Sequence, residues 1–114
     1  PVNLNVNQAI PCSLIINEVV TNALKHAFED AGTICLVLFE EQNQIHLTIT
    51  DNGRGLPDDY KNLIHKGSLG FKLIDTLSKQ LDTSCTFNSD KNGTEFSLIF
   101  DRAKIKGIGS AHLD

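Results

Sequence analysis

The feature that most constrains this chain is a change of hydrophobic period that happens twice. Apolar residues recur at helical spacing through about 9–29, then alternate through 34–39 and 45–50. The cycle repeats: Leu69, Leu73, Ile74, Leu77 and Leu81 mark a helix over 69–81, and alternation returns over 83–88 and 94–100. The polar links Glu40-Glu41-Gln42-Asn43-Gln44 and Ser89-Asp90-Lys91-Asn92-Gly93 make each strand pair a hairpin. Every element then has one apolar face to bury, and helices interleaved with hairpins do so as an α+β sandwich, one sheet covered on one face by helices. Val2, Leu4 and Val6 alternate as in a short strand; Pro11 fits the first turn of the first helix, and Gly32 ends it. Residues 51–68, with two glycine clusters and Pro57, read as a functional loop with room for one helical turn. Residues 1–101 form the domain, and 102–114, with Gly107 and Gly109, a flexible tail.

At 114 residues, 40% of them apolar, the chain has material for one domain with a small core. A net charge of -4 speaks against a nucleic-acid surface, so any phosphate must be held by local donors. Cys12, Cys35 and Cys85 are spaced for neither a zinc site nor a redox pair, and read as buried free thiols in a reducing compartment. No apolar run is long enough for a bilayer and no signal peptide is present. The chain starts on Pro1 without Met, as a fragment of a longer protein would, so the missing span says nothing of a membrane anchor in the parent.

The first helix has two faces. At about 100° per residue, Glu18, Asn22, Lys25 and Glu29 fall in one line, and Cys12, Ile16, Val19, Val20, Ala23, Leu24 and Ala27 on the opposite arc. The polar line is either a solvated face with helix ion pairs or a magnesium–phosphate face. In the second reading Asn22 offers a carbonyl oxygen to a hard cation, Lys25 faces a phosphate, and Glu18 is a base or a second metal contact.

Asp51-Asn52-Gly53-Arg54-Gly55-Leu56-Pro57 follows directly on a strand. This is either an ordinary Asn-Gly turn or a carboxylate whose glycines let the backbone approach a planar ligand carrying an exocyclic amine. Gly67-Ser68-Leu69-Gly70 opens the second helix, either as a Ser68 cap or as free N–H groups aimed at an anion. Gly93-Thr94-Glu95-Phe96 starts the last strand, and a Thr94 hydroxyl there reaches Asp51 if the two strands are neighbours. Neither the Walker pattern nor a strand-linked Gly-x-Gly-x-x-Gly is present.

In order, Asn17-Glu18-x-x-x-Asn22-Ala23-x-Lys25-His26, Asp51-x-Gly53-x-Gly55-Leu56-Pro57, Gly67-Ser68-Leu69-Gly70 and Gly93-Thr94-x-Phe96 resemble the nucleotide-binding fold shared by histidine kinases, type II topoisomerases, a heat-shock chaperone and mismatch-repair ATPases. The stretch from Ile15 to Phe28 is similar to the histidine-kinase subgroup with Glu in its Asn box and a short lid. The resemblance covers about residues 3–100 and implies a two-layer sandwich with a mixed, largely antiparallel sheet.

The resemblance also implies roles toward ATP and magnesium. Asn22 matches the metal ligand, Lys25 a phosphate contact, His26 the residue beside the nucleotide, and Glu18 a base or metal contact. Asp51 matches the carboxylate that reads the adenine amine, with Gly53 and Gly55 its supporting loop and Thr94 the supporting hydroxyl. Gly67, Ser68, Leu69 and Gly70 match the phosphate-facing amides after the lid. The sequence departs from the pattern in having Glu18 where most of these kinases have a second Asn, and in its short lid and reduced glycine box. The implied reaction is transfer of the γ-phosphoryl of ATP to a histidine on a separate helical hairpin of the same cytoplasmic, homodimeric parent, with a response regulator downstream. The fragment is expected to bind ATP and magnesium without phosphorylating itself. His46, His65 and His112 do not read as the acceptor. Two other readings use the same fold: a serine kinase of the anti-sigma type, and an ATP-binding scaffold without transfer.

Overall fold

The computed structural model describes residues 2–26, 32–53 and 70–103. In chain order the elements are α1 (Val6–His26), β1 (Ile34–Glu41), β2 (Gln44–Asp51), α2 (Phe71–Gln80), β3 (Thr86–Asp90) and β4 (Gly93–Asp101). The strands form one sheet in the order β1-β2-β4-β3, and every pairing among them is antiparallel. Ile45, Leu47 and Ile49 of β2 and Phe96, Leu98 and Phe100 of β4 alternate onto one face. They meet Cys12, Ile15 and Val19 of α1 and Phe71, Ile74 and Leu77 of α2 in a single core. The α+β sandwich read from the periodicities is the observed architecture.

Residues 2–5 are not a strand. Val2 and Leu4 pack against the core, while Asn5 caps α1, its Oδ1 accepting the Gln8 N–H at 3.1 Å. Such a cap contributes about 1 kcal/mol, and it starts the helix a turn earlier than the sequence pattern does. Pro11 therefore lies inside α1 rather than in its first turn, where it removes one backbone donor.

The buried arc of α1 is also turned from the expected one. Cys12, Ile15, Val19 and Ala23 are buried, Ile16 and Val20 are partly so, and Leu24 is 62% exposed. Two neighbours compete for this helix, because it packs on both α2 and β2. In α2, Phe71 is buried and Leu73 exposed, against the assignment from spacing. That helix ends in a Schellman turn: Asp82 stands at φ 56, its N–H donates to Lys79 O, and the Thr83 N–H donates to Ser78 O.

Both hairpins are tighter than the polar links suggest, with strands running to within two residues of each other. Gln42 and Asn43 both have positive φ, as a two-residue type I′ turn requires. Cys35 corrects the expectation of three buried thiols. It pairs with Thr50 on the outer face of the sheet and is exposed. Burial raises the pKa of Cys12; it raises that of Cys85 too, against smaller opposing hydrogen bonds.

Candidate functional site

β2 ends on Asp51, whose carboxylate is held in place. Its Oδ1 accepts the N–H of Gly53 at 2.9 Å and the N–H of Thr94 at 3.3 Å. The first bond closes a turn over two residues. The second is available because Thr94 is the register partner of Asp51 on β4. Among the described residues no donor reaches Oδ2. Gly93 permits the close approach: it has φ 143, and a Cβ there would collide with the Asp51 carbonyl oxygen. On the other flank the Asn52 Oδ1 accepts the Thr33 N–H at 2.8 Å, and the Asn52 N–H donates to Thr33 O at 3.2 Å. This clasp fixes the loop leaving β2.

Asp51, Thr94 and Ser89 stand opposite one another across β2, β4 and β3, on the helix-facing side. The next row on that side is Ile49, Phe96 and Phe87. Phe87 meets both Phe71 and Phe96 edge-on, at 5.0 Å between centroids. A polar row thus caps an apolar floor. A depression of about 390 Å³ opens at this end of the sheet, lined by residues 50–51, 88–90 and 92–95. Asp51 stands on its helix-facing side, while Glu95 and Asp90, one position from Thr94 and Ser89, alternate onto the other face.

The Thr94 hydroxyl does not bridge to Asp51 as the sequence reading expects. The strands are neighbours, but the backbone N–H makes that bond, and Thr94 Oγ1 lies 2.9 Å from Ser89 Oγ. Asp51 terminates its strand and folds the carboxylate back onto backbone donors, while the Thr94 hydroxyl is turned to its partner across the hairpin. Turn chemistry assigns Ser89 to the link between the strands. Its alternation with Phe87, two positions away on the same face, was the available signal.

α1 supplies the second group. It is 21 residues, so about 30 Å, long. Its start is fixed beside the end of β4, because Gln8 Nε2 donates to Asp101 O at 2.8 Å and Gln8 Oε1 accepts the Ala103 N–H at 2.9 Å. Its last turn therefore lies toward the Asp51 end. Glu18 and Asn22 are half-buried and Lys25 is exposed, while His26 is the last residue of the helix.

Glu18 touches the start of α2. Gly70 caps that helix at φ 76 with no side-chain cap, and a Cβ on Gly70 would collide with the Glu18 carboxylate. The carboxylate thus sits where a helix N-terminus presents unpaired N–H groups. Gly55, Gly67, Ser68 and Leu69, with His65, lie outside the described residues. His46 stacks on Phe39 at 4.6 Å on the outer face of the sheet, away from the Asp51 row.

Among the described residues, the structure brings Asp51, Gly53 and Thr94 into one cluster and Glu18 and Gly70 into another. None of them forms a group of three or more His, Cys, Asp or Glu suited to a metal, and no described helix is long and apolar enough to cross a membrane.

Residues 7–104 match the family model described as histidine kinase-, DNA gyrase B-, and HSP90-like ATPase. The chain is 31% identical over 110 residues to blue-light-activated histidine kinase 2 of Erythrobacter litoralis, covering 94% of this chain and 32% of that protein. It is 25% identical over 105 residues to the anti-sigma F factor of Anoxybacillus flavithermus, covering 82% and 70%. Its fold superposes on the histidine kinase domain of an Erythrobacter litoralis blue-light activated kinase with a TM-score of 0.79 and 30% identity, over 87% of this chain and 50% of that one. The chain spans about a third of the length of the first of these relatives.

Proposed function

Because the chain belongs to the family of histidine kinase-, DNA gyrase B- and HSP90-like ATPases, we propose that it is the ATP-binding catalytic domain of a two-component sensor histidine kinase. The observation that carries this reading is the state of Asp51. Two backbone N–H groups orient its Oδ1, and no described donor uses its Oδ2. A carboxylate so held is pre-organised to accept a hydrogen bond from the exocyclic amine of adenine. Gly53 and Gly55 keep side chains away from the base.

The triphosphate runs from Asp51 toward α1 and the start of α2, where the cation and the helix N-terminus lie. Lys25 meets it there as a point charge, with His26 beside the nucleotide. The N–H groups of Gly67, Ser68, Leu69 and Gly70 face the phosphates. Half-buried Asn22 fits a magnesium ion that takes few protein ligands and completes its shell with water and phosphate. When bound, the ion neutralises phosphate charge during transfer. Glu18 either contacts that ion or orients the incoming imidazole as a base, from its seat against Gly70. A neutral imidazole is already a nucleophile, so the residues here mainly position and stabilise charge.

The acceptor histidine belongs to a helical hairpin elsewhere in the parent, a homodimer that passes the phosphoryl group to a response regulator. The domain works in the cytoplasm, where ATP is supplied. The domain takes in Arg102 and Ala103 as well as residues 1–101, because the Arg102 N–H donates to Asn43 O and the Ala103 N–H to Gln8 Oε1.

Calorimetry and single-turnover transfer test this together. The chain should bind ATP with magnesium and phosphorylate a supplied histidine hairpin, and Asp51→Asn should lose nucleotide binding with its fold intact. Wild-type ATP affinity in Asp51→Asn would remove the adenine assignment. Transfer to serine of a partner protein would replace the histidine reading with the anti-sigma one, and ATP binding without any transfer would leave a scaffold.

A further inference from the structure

Asp51 explains recognition of an amine but leaves the neighbouring ring nitrogen of adenine unread. That nitrogen, N1, accepts a hydrogen bond, and the carboxylate cannot supply one. The Thr94 hydroxyl stands beside the carboxylate, since the Thr94 N–H donates to Asp51 Oδ1. A hydroxyl rotates freely and presents either a proton or a lone pair. Its direction is set by whatever else it bonds, and here that is Ser89 Oγ at 2.9 Å.

We propose that Ser89 is a positioning residue for base specificity: by donating to Thr94 Oγ1 it turns the Thr94 proton toward N1 of adenine. The proposal rests on the ATP reading above. Ser89 touches no substrate atom in this account and acts only through Thr94. The chain of donors runs one way, Ser89 to Thr94 to N1, while Asp51 Oδ2 accepts from the amine. A base with an N–H at this position, such as hypoxanthine or guanine, meets a donor facing a donor, and a keto oxygen facing the carboxylate. Without Ser89 the Thr94 hydroxyl is free to turn and accept, so the ring position is no longer discriminated. The register supports this assignment, because Asp51, Thr94 and Ser89 are consecutive partners across three strands. Their side chains stand on one face by the alternation of the pleat.

The test compares ATP with 1-deaza-ATP, which keeps the amine and lacks N1, by calorimetry on the 114-residue chain. The wild type should prefer ATP by about fivefold, the ratio one ordinary hydrogen bond supplies. Ser89→Ala should weaken ATP binding by about that factor, leave 1-deaza-ATP unchanged, and so lose the preference. Ser89→Thr, which keeps the hydroxyl, should restore it. Thr94→Val should also lose the preference, and adding Ser89→Ala to it should change nothing further. Equal weakening of both nucleotides by Ser89→Ala would mean a packing role and would overturn the proposal, as would an unchanged preference. If Ser89→Ala failed to fold, a full ATP preference in Thr94→Val would overturn it. Failure of the ATP reading looks different: the wild type binds neither nucleotide, or Asp51→Asn binds ATP normally.

Discussion

At the scale of single residues, Gly93 carries the sharpest constraint. A Cβ there meets the Asp51 backbone oxygen, which cannot swing aside, and φ 143 is strained for any L side chain. Gly93→Ala should cost roughly 2–4 kcal/mol in chemical denaturation, from strain and overpacking together. It should also weaken ATP binding, because the displaced strand carries the Thr94 N–H. A denaturation midpoint like that of the wild type would show that the contact relaxes freely. Gly70 is the opposite case. Its obstacle is the far end of the flexible Glu18 side chain, which can move aside, so the cost of a side chain there comes mainly from the left-handed φ of 76. Two glycines with positive φ thus play different parts, one excluding backbone overlap and the other seating a carboxylate. Both were legible in the sequence as boxed glycines, but the partner each faces was not, since it lies 42 and 52 positions away along the chain.

Among elements, α2 offers a clean test because its end is closed by a residue in an unfavourable conformation. Asp82 holds the left-handed turn at φ 56, and both Schellman bonds depend on it. Glycine takes this conformation without a Cβ penalty. Asp82→Gly should therefore raise stability by about 0.5–1 kcal/mol, read as a higher denaturant midpoint. A fall in the midpoint would mean that the Asp82 side chain supplies something the backbone account lacks. The periodicity of α2 was plain from sequence, yet Leu73 faces out and Phe71 in. The i, i+4 pattern fixes a stripe, whereas the neighbouring elements decide which edge of it is covered. The same happens in α1, where Ile15 is fully buried and Leu24 exposed.

Across the whole molecule, the three thiols report the layering. Cys35 lies on the open face of the sheet, Cys12 within the core and Cys85 partly covered. A thiol reagent should label Cys35 fast in the native state, Cys85 slowly and Cys12 only on unfolding. Equal rates for all three would contradict the sandwich. Burial raises the pKa of Cys12 and Cys85, so the folded chain holds these protons longer than the unfolded one. Their contribution to stability is complete below the ordinary thiol value of 9.0 and is lost as pH rises past it. The denaturation midpoint should accordingly fall as pH rises above 9.0. Local patterns determined much of this protein: two helices, two hairpins, the α+β class, the four motif boxes and the Asp51 position are all properties of short windows, in which periodicity and turn chemistry act directly. Tertiary structure alone decided that Asn5 caps a helix where a strand was expected, that Cys35 is exposed, and that the Thr94 hydroxyl answers to Ser89 while its N–H holds Asp51. Those outcomes depend on which strands become neighbours and in what register. A short window of sequence carries periodicity but no register with a distant partner, and it is register that aims a polar side chain.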